Sequence, residues 1–242
     1  MKRGTYRERL FKKYIERHWN NVKRFFTYGT LDAFIAVNIE TINVCNLKCS
    51  YCPISKYPRE REVMPVETFY KIVKDLQEIQ FKGAIHLHNF GEPLLDERLP
   101  FFCRAIHNRL PKCKIVLFTN GTLLTPTKRK QLIKEGVSGF EIVRDGNFEK
   151  GYMMFNRGGL IELPHGKPMK KCKVHLDCLI IDVRGNVVLC CNDYFSSVTF
   201  GNVNERSVME IWERPEYRNA RREIAKGNMI YDICKKCEYE VV

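Results

Sequence analysis

The chain has 242 residues, room for one large domain or a domain with an appendage, and its 44% hydrophobic and 12% aromatic content is that of a globular protein. No apolar run reaches the ~18 residues of a membrane span, and the opening MKRGTYRERLFKKYIERHW lacks the apolar stretch of a secretion signal; the expected location is the cytoplasm, where eleven cysteines stay reduced and point to metal binding or catalysis over disulfides. A net charge of +13 raises anionic partners: nucleic acid, a phospholipid surface or a phosphorylated substrate.

Much of that charge is local. Residues 1–26 hold nine Lys and Arg against Glu8 and Glu16. Phe11, Tyr14, Ile15, His18, Trp19, Val22, Phe25 and Phe26 recur among them at helical spacing. The expected element over residues 1–33 is a basic amphipathic helix. It either packs its aromatic face on the main domain or makes a peripheral contact with a membrane or polyanion.

From residue 34 strands and helices alternate. AFIAVNIET reads as a buried strand, PVETFYKIVKDLQEI as an amphipathic helix, GAIHLHNF as a strand and DERLPFFCRAIHNRL as a helix. KIVLFTNG is a third strand. TPTKRKQLIKEG is a helix with Thr125 as its N-cap and Gly136 at its end, and GFEIVRDG is a fourth strand. Strand–helix units every 30 residues or so imply parallel strands with right-handed crossovers. Too few units fit before residue 165 for an eight-fold barrel, so the expected class is α/β with a partial, open (β/α) barrel over 34–165. After a Gly-, Pro- and Lys-rich stretch, LIIDVRGNVVLCC reads as a hairpin around Arg184-Gly185-Asn186, and SVMEIWERPEYRNARREIAKG as a helix. Residues 166–242 are expected to form a small second domain of hairpin plus helix.

Three cysteines, Cys45, Cys49 and Cys52, follow the first strand with no fourth close by. Thiolates suit iron–sulfur clusters, and three of them leave one corner of a 4Fe–4S cube open; half of a zinc site completed from far away is the other reading. The Cys45-x3-Cys49-x2-Cys52 loop, with Tyr51 before its third cysteine, resembles that of the radical SAM superfamily. Phe90–Leu95 (FGEPLL) is similar to its glycine-rich motif, with Phe90 where Gly is common, and TNGTLL follows the third strand as in many members. The resemblance implies a cluster whose open iron holds S-adenosylmethionine, cleaved by an electron to a 5′-deoxyadenosyl radical that takes a hydrogen atom from substrate. It implies a cofactor-binding set of Tyr51, the backbone of Gly91, Glu92 and Pro93, and Thr119 and Asn120. It also implies an electron donor such as flavodoxin or ferredoxin. Where members often carry a Ser after the fourth strand, this chain reads Val143-Arg144-Asp145-Gly146.

Cys172, Cys190, Cys234 and Cys237 form a second group whose spacing resembles the SPASM auxiliary-cluster region, and more closely its short Twitch form. The resemblance implies a second 4Fe–4S cluster; four thiolates with a C-x2-C knuckle would also suit zinc. Cys178 and Cys191 compete for ligand status, but alternation turns Cys190 and Cys191 to opposite faces of a strand, and the Gly185-x4-Cys190 spacing favours Cys190. Cys103 and Cys113 read as core or surface residues.

A fully ligated second cluster can pass electrons only. The resemblance to alcohol-oxidising Twitch dehydrogenases therefore implies two-electron oxidation of a sugar, cyclitol or similar small molecule. His88, Arg144 and Arg157, each near a predicted strand end or loop, are the candidate bases or substrate-positioning groups. The alternatives are radical epimerisation or thioether formation on a ribosomally made peptide, for which residues 1–33 are short for a leader-binding module, and a zinc-stabilised nucleic-acid-binding module.

Overall fold

The computed structural model describes residues 32–144 and 152–241, together with Val22. The basic helix expected over residues 1–33, with its membrane or polyanion contact, lies outside the described residues, as does Asp145-Gly146. Residues 34–242 form one compact unit. No helix among the described residues is long and apolar enough to cross a membrane.

Four parallel strands come first in sequence: β1 (Ala36–Ile39), β2 (Ala84–His86), β3 (Lys114–Thr119) and β4 (Val137–Ile142). Between them run α1 (Val66–Glu78), α2 (Leu99–Arg109) and α3 (Pro126–Lys134). α3 starts where Thr125 accepts a hydrogen bond from the Lys128 amide, so the hydroxyl takes one of the helix's orphan donors. Strand residues of one parity, Val37, Ile39, Ile85, Ile115 and Leu117, are buried with the α1 residues Phe69, Ile72, Val73 and Leu76 and the α2 residues Leu99, Phe102 and Ile106. The Phe69 and Phe102 rings stack at 4.0 Å, fixing α1 on α2. The other parity carries Asn38, His86 and Phe118, which leaves a polar inner face for the open barrel.

The sheet does not stop at the boundary expected near residue 165. β7 (Cys178–Ile181) pairs in parallel with β1, in the register Ala36–Cys178 to Ile39–Ile181. β8 (Asn186–Val188) returns as the expected hairpin, and β9 (Thr199–Asn202) adds a further antiparallel strand. The result is one seven-stranded mixed sheet in the order β4-β3-β2-β1-β7-β8-β9. A separate antiparallel sheet of order β5-β10-β6 joins β5 (Met153–Phe155), β6 (Lys167–Pro168) and β10 (Glu238–Val241). A one-turn α4 (Val174–Asp177) leads into β7.

The helix expected after Ser207 is in fact two. α5 (Val208–Trp212) opens on a capping box between Ser207 and Glu210, and α6 (Pro215–Lys226) begins at Pro215. Proline has no amide hydrogen to continue α5, yet it suits the first position of a new helix. A last turn, α7 (Asp232–Lys235), carries Cys234.

Candidate active site and second cysteine centre

The three sequence motifs are hydrogen-bonded to one another. The cysteine loop leaves β1 and its tail returns alongside it through an Ile42–Val63 bridge. Gly91 sits so close to the Ile42 carbonyl that a Cβ there would collide with it, and the Glu92 amide donates to the Val44 carbonyl at 2.9 Å. Glu92 is buried, and its carboxylate faces the protein. One oxygen accepts from the Leu94 amide at 3.0 Å and the Thr119 hydroxyl at 2.7 Å, the other from the Asn120 amide at 2.8 Å. The Asn120 side chain then reaches the cysteine loop: its Nδ2 donates to Asn46 Oδ1 at 2.9 Å and approaches Cys45 Sγ at 3.6 Å. Thr119, Asn120 and Glu92 thus hold the loop in shape. The Glu92 and Pro93 carbonyls are taken by the Leu95 and Asp96 amides, whereas no hydrogen bond among the described residues uses the Gly91 carbonyl.

Cys45, Cys49 and Cys52 open onto a cleft of about 150 Å³ that Tyr51, His88, Asn89 and Arg157 also line. Burial, then the neighbouring Cys49 thiol, push the Tyr51 hydroxyl up. Three residues that line this cleft each carry a buried polar atom without a hydrogen-bond partner among the described residues: His88 Nε2, Asn89 Oδ1 and Arg157 Nε. Buried polar atoms without partners are uncommon, and a bound molecule, an ordered water or an ion satisfies them. The His88 ring stacks on Phe118 at 4.4 Å, and burial holds its pKa down to about 3, so the imidazole is neutral. Arg157 passes its Nη1 to Asn192 Oδ1 at 2.7 Å. Arg144 stands elsewhere: it is exposed, does not line the cleft, and donates from Nε to the Asn120 carbonyl at 3.1 Å.

Cys172, Cys190, Cys234 and Cys237 line a second, smaller and mainly apolar cavity with Met169, Leu189, Asn192, Ile224, Met229 and Ile233. Burial pushes the Cys190 thiol well up, Cys234 to about 12 and Cys237 to about 11. Thiols in such a site ionise when a metal takes the place of the proton, so the donor set fits a soft metal centre. Among the described residues no three His, Cys, Asp or Glu side chains converge as ligands of one ion would. Cys191 does not line this cavity, and Cys178 donates to Asn38 Oδ1 at 3.3 Å. Cys103 is buried on α2, and Cys113 donates to the Phe81 carbonyl at 3.1 Å.

One group escaped the sequence reading. Glu40, fully buried at the end of β1, pairs with Arg59 at 2.7 Å and accepts from the Phe90 amide at 3.2 Å. Burial raises the Glu40 carboxyl pKa, and Arg59 pulls it back. The Arg59 guanidinium lies 4.5 Å from the Tyr194 ring, which meets Phe90 edge-on at 4.8 Å. Phe90, in place of the usual Gly, is therefore a wall between the cysteine loop and the loop that follows Cys190. A charged residue closing an otherwise apolar strand was the available signal.

Comparison with known proteins agrees with this geometry. The radical SAM superfamily model matches residues 39–162, and the SPASM model, an iron-sulfur cluster-binding domain, matches residues 172–238. The S-adenosyl-L-methionine-dependent 2-deoxy-scyllo-inosamine dehydrogenase of Niallia circulans is 26% identical over 84% of this chain and 92% of its own. The crystal structure of BtrN in complex with AdoMet and 2-DOIA superposes with a TM-score of 0.79 at 24% identity, covering 85% of this chain and 93% of that one. Streptococcus suis SuiB bound to precursor peptide SuiA gives a TM-score of 0.54 at 12% identity, over 93% and 76% of the two chains. The chain belongs to the radical SAM superfamily, as an enzyme whose cofactors are S-adenosylmethionine and two iron–sulfur clusters.

Proposed function

We propose that the enzyme oxidises a secondary alcohol of a sugar, cyclitol or similar small polar molecule to a ketone, and that His88, Asn89 and Arg157 hold that substrate. When bound, S-adenosylmethionine and its cluster supply a carbon radical that takes one hydrogen atom, and the second cluster supplies a destination for the remaining electron. Cys45, Cys49 and Cys52 are the ligands of the first cluster; Cys172, Cys190, Cys234 and Cys237 are those of the second. The Gly91 carbonyl would accept from the cofactor's ammonium, and Tyr51 would line the same cleft beside Cys49. An external one-electron donor such as flavodoxin or ferredoxin reduces the first cluster.

The observation that carries the reading is the trio of partnerless buried polar atoms on residues lining the three-cysteine cleft, together with a separate four-cysteine cavity. Neutral His88 Nε2 and Asn89 Oδ1 suit substrate hydroxyl hydrogens, and Arg157 Nε suits a hydroxyl or ketone oxygen. Burial keeps the His88 imidazole neutral, so it serves as a hydrogen-bond acceptor that orients the substrate hydroxyl, and the hydroxyl proton leaves to solvent as the carbon is oxidised. Support also comes from the Niallia circulans relative, whose substrate is an aminocyclitol.

The test is anaerobic turnover of reconstituted protein with S-adenosylmethionine, dithionite and a panel of cyclitols and sugars. The expected products are one 5′-deoxyadenosine, one methionine and one ketone per cofactor consumed. A product at the unchanged oxidation state, with solvent hydrogen placed at the abstracted carbon, would refute oxidation and mark the enzyme as an epimerase.

A further inference from the structure

Arg157 links the two cysteine centres through Asn192. It lines the three-cysteine cleft, with its guanidinium 5.9 Å from the Phe90 ring, and it donates to Asn192, which lines the four-cysteine cavity. Its backbone is held in the left-handed region at φ 53°, a conformation a non-glycine residue keeps only where its surroundings enforce it. They do so here from the side of the C-x2-C knuckle. Buried Asn156 donates from Nδ2 to the Lys236 carbonyl at 2.8 Å, its amide donates to the Glu238 carbonyl, and its Oδ1 accepts from the Glu238 amide at 2.9 Å. Gly158 packs on Ile233 so closely that any Cβ would collide. The turn bearing Arg157 is thus clamped to the segment that carries Cys234 and Cys237.

We infer that Arg157 is a positioning residue that ties the substrate cleft to the auxiliary centre and, through its charge, sets how readily that centre accepts an electron. The inference rests on the proposed function, in which the four cysteines hold an electron-accepting cluster. The hydrogen bond to Asn192 leaves the guanidinium's positive charge intact, because its partner is a neutral amide. Reduction adds negative charge to a cluster, and a fixed cation nearby favours it. Placed between cleft and knuckle, Arg157 biases the second electron away from the substrate and toward the auxiliary centre.

The experiment is an anaerobic redox titration of the holoenzyme followed by its reduced spin signal, with the first cluster told apart by its response to S-adenosylmethionine. Arg157→Gln is expected to weaken reduction of the second cluster at least tenfold, a fall of about 59 mV for one electron. Asn192→Asp, which cancels the charge in place, is expected to move the potential in the same direction. Arg157→Lys, which keeps the charge, is expected to remain within threefold of wild type. Both clusters assembled and an unmoved potential in Arg157→Gln and Asn192→Asp would overturn this inference alone. About four rather than eight irons per wild-type chain would overturn the underlying reading, and this inference with it.

Discussion

Glu92 separates a structural role from a ligand role more sharply than any other motif residue. Its carboxylate accepts three hydrogen bonds from buried donors, and two of these, the amides of Leu94 and Asn120, have no means of re-aiming. Each buried donor left orphaned costs about 1–3 kcal/mol, and the Thr119 hydroxyl adds less because it rotates. Glu92→Ala is thus expected to lose about 4 kcal/mol, net of the desolvation recovered when the carboxylate is removed. For a domain of this size that is roughly 10 °C in the unfolding midpoint. Glu92→Gln keeps one acceptor but aims its amide hydrogens at a donor, so it is expected to recover less than half of the loss. Thermal unfolding of anaerobically reconstituted protein, read by circular dichroism, gives the midpoints; binding of S-adenosylmethionine is measured alongside. If Glu92→Ala loses under 1 kcal/mol yet no longer binds S-adenosylmethionine, the carboxylate is a cofactor contact and the structural account is wrong.

Two further outcomes follow from burial and placement. His88 is neutral in the fold, with a pKa near 3 caused by burial, against about 6.5 in an unfolded chain. The unfolded state therefore takes up the proton first. Stability falls as pH drops from about 6.5 toward 3, by about 2 kcal/mol at pH 5, and His88→Gln should flatten that limb of a midpoint-versus-pH curve; an unchanged slope would contradict it. Cys178→Ala and Cys191→Ala should keep about eight irons per chain and Cys190→Ala about four, and iron loss in Cys191→Ala with retention in Cys190→Ala would reverse the ligand assignment.

The strand–helix order and the three motifs were legible because each rests on local pattern: apolar spacing in α1, the Thr125 cap, the cysteine run. What the motif residues do was only partly legible. Gly91 reads as an open backbone for a ligand, yet it is also demanded by the Ile42 carbonyl pressing on it. Thr119 and Asn120 read as cofactor contacts; both line the cleft, and their polar atoms also brace Glu92 and the cysteine loop, which no local pattern announced. Arg144 reads as a candidate base or substrate-positioning group, and in the fold it donates to the carbonyl of the cleft-lining Asn120. Of the Glu40–Arg59–Tyr194 group only Glu40, at the end of its strand, left a local trace; the partners come from distant segments. β9 escaped because Gly201 weakens a four-residue strand, and β6 because two residues carry no period. The break at Pro215 was readable in principle; helical periodicity on both sides concealed it.

The parallel pairing of β1 with β7 has a practical consequence for anyone wishing to dissect this enzyme. A fragment cut near residue 165 would strip one side of β1 and present Val37 and Ile39 on a raw strand with its amides and carbonyls unmet. Such a margin recruits other chains, so the shortened protein should precipitate or self-associate instead of behaving as a minimal catalyst. The radical-generating loop and the hairpin that leads to Cys190 therefore depend on one continuous sheet.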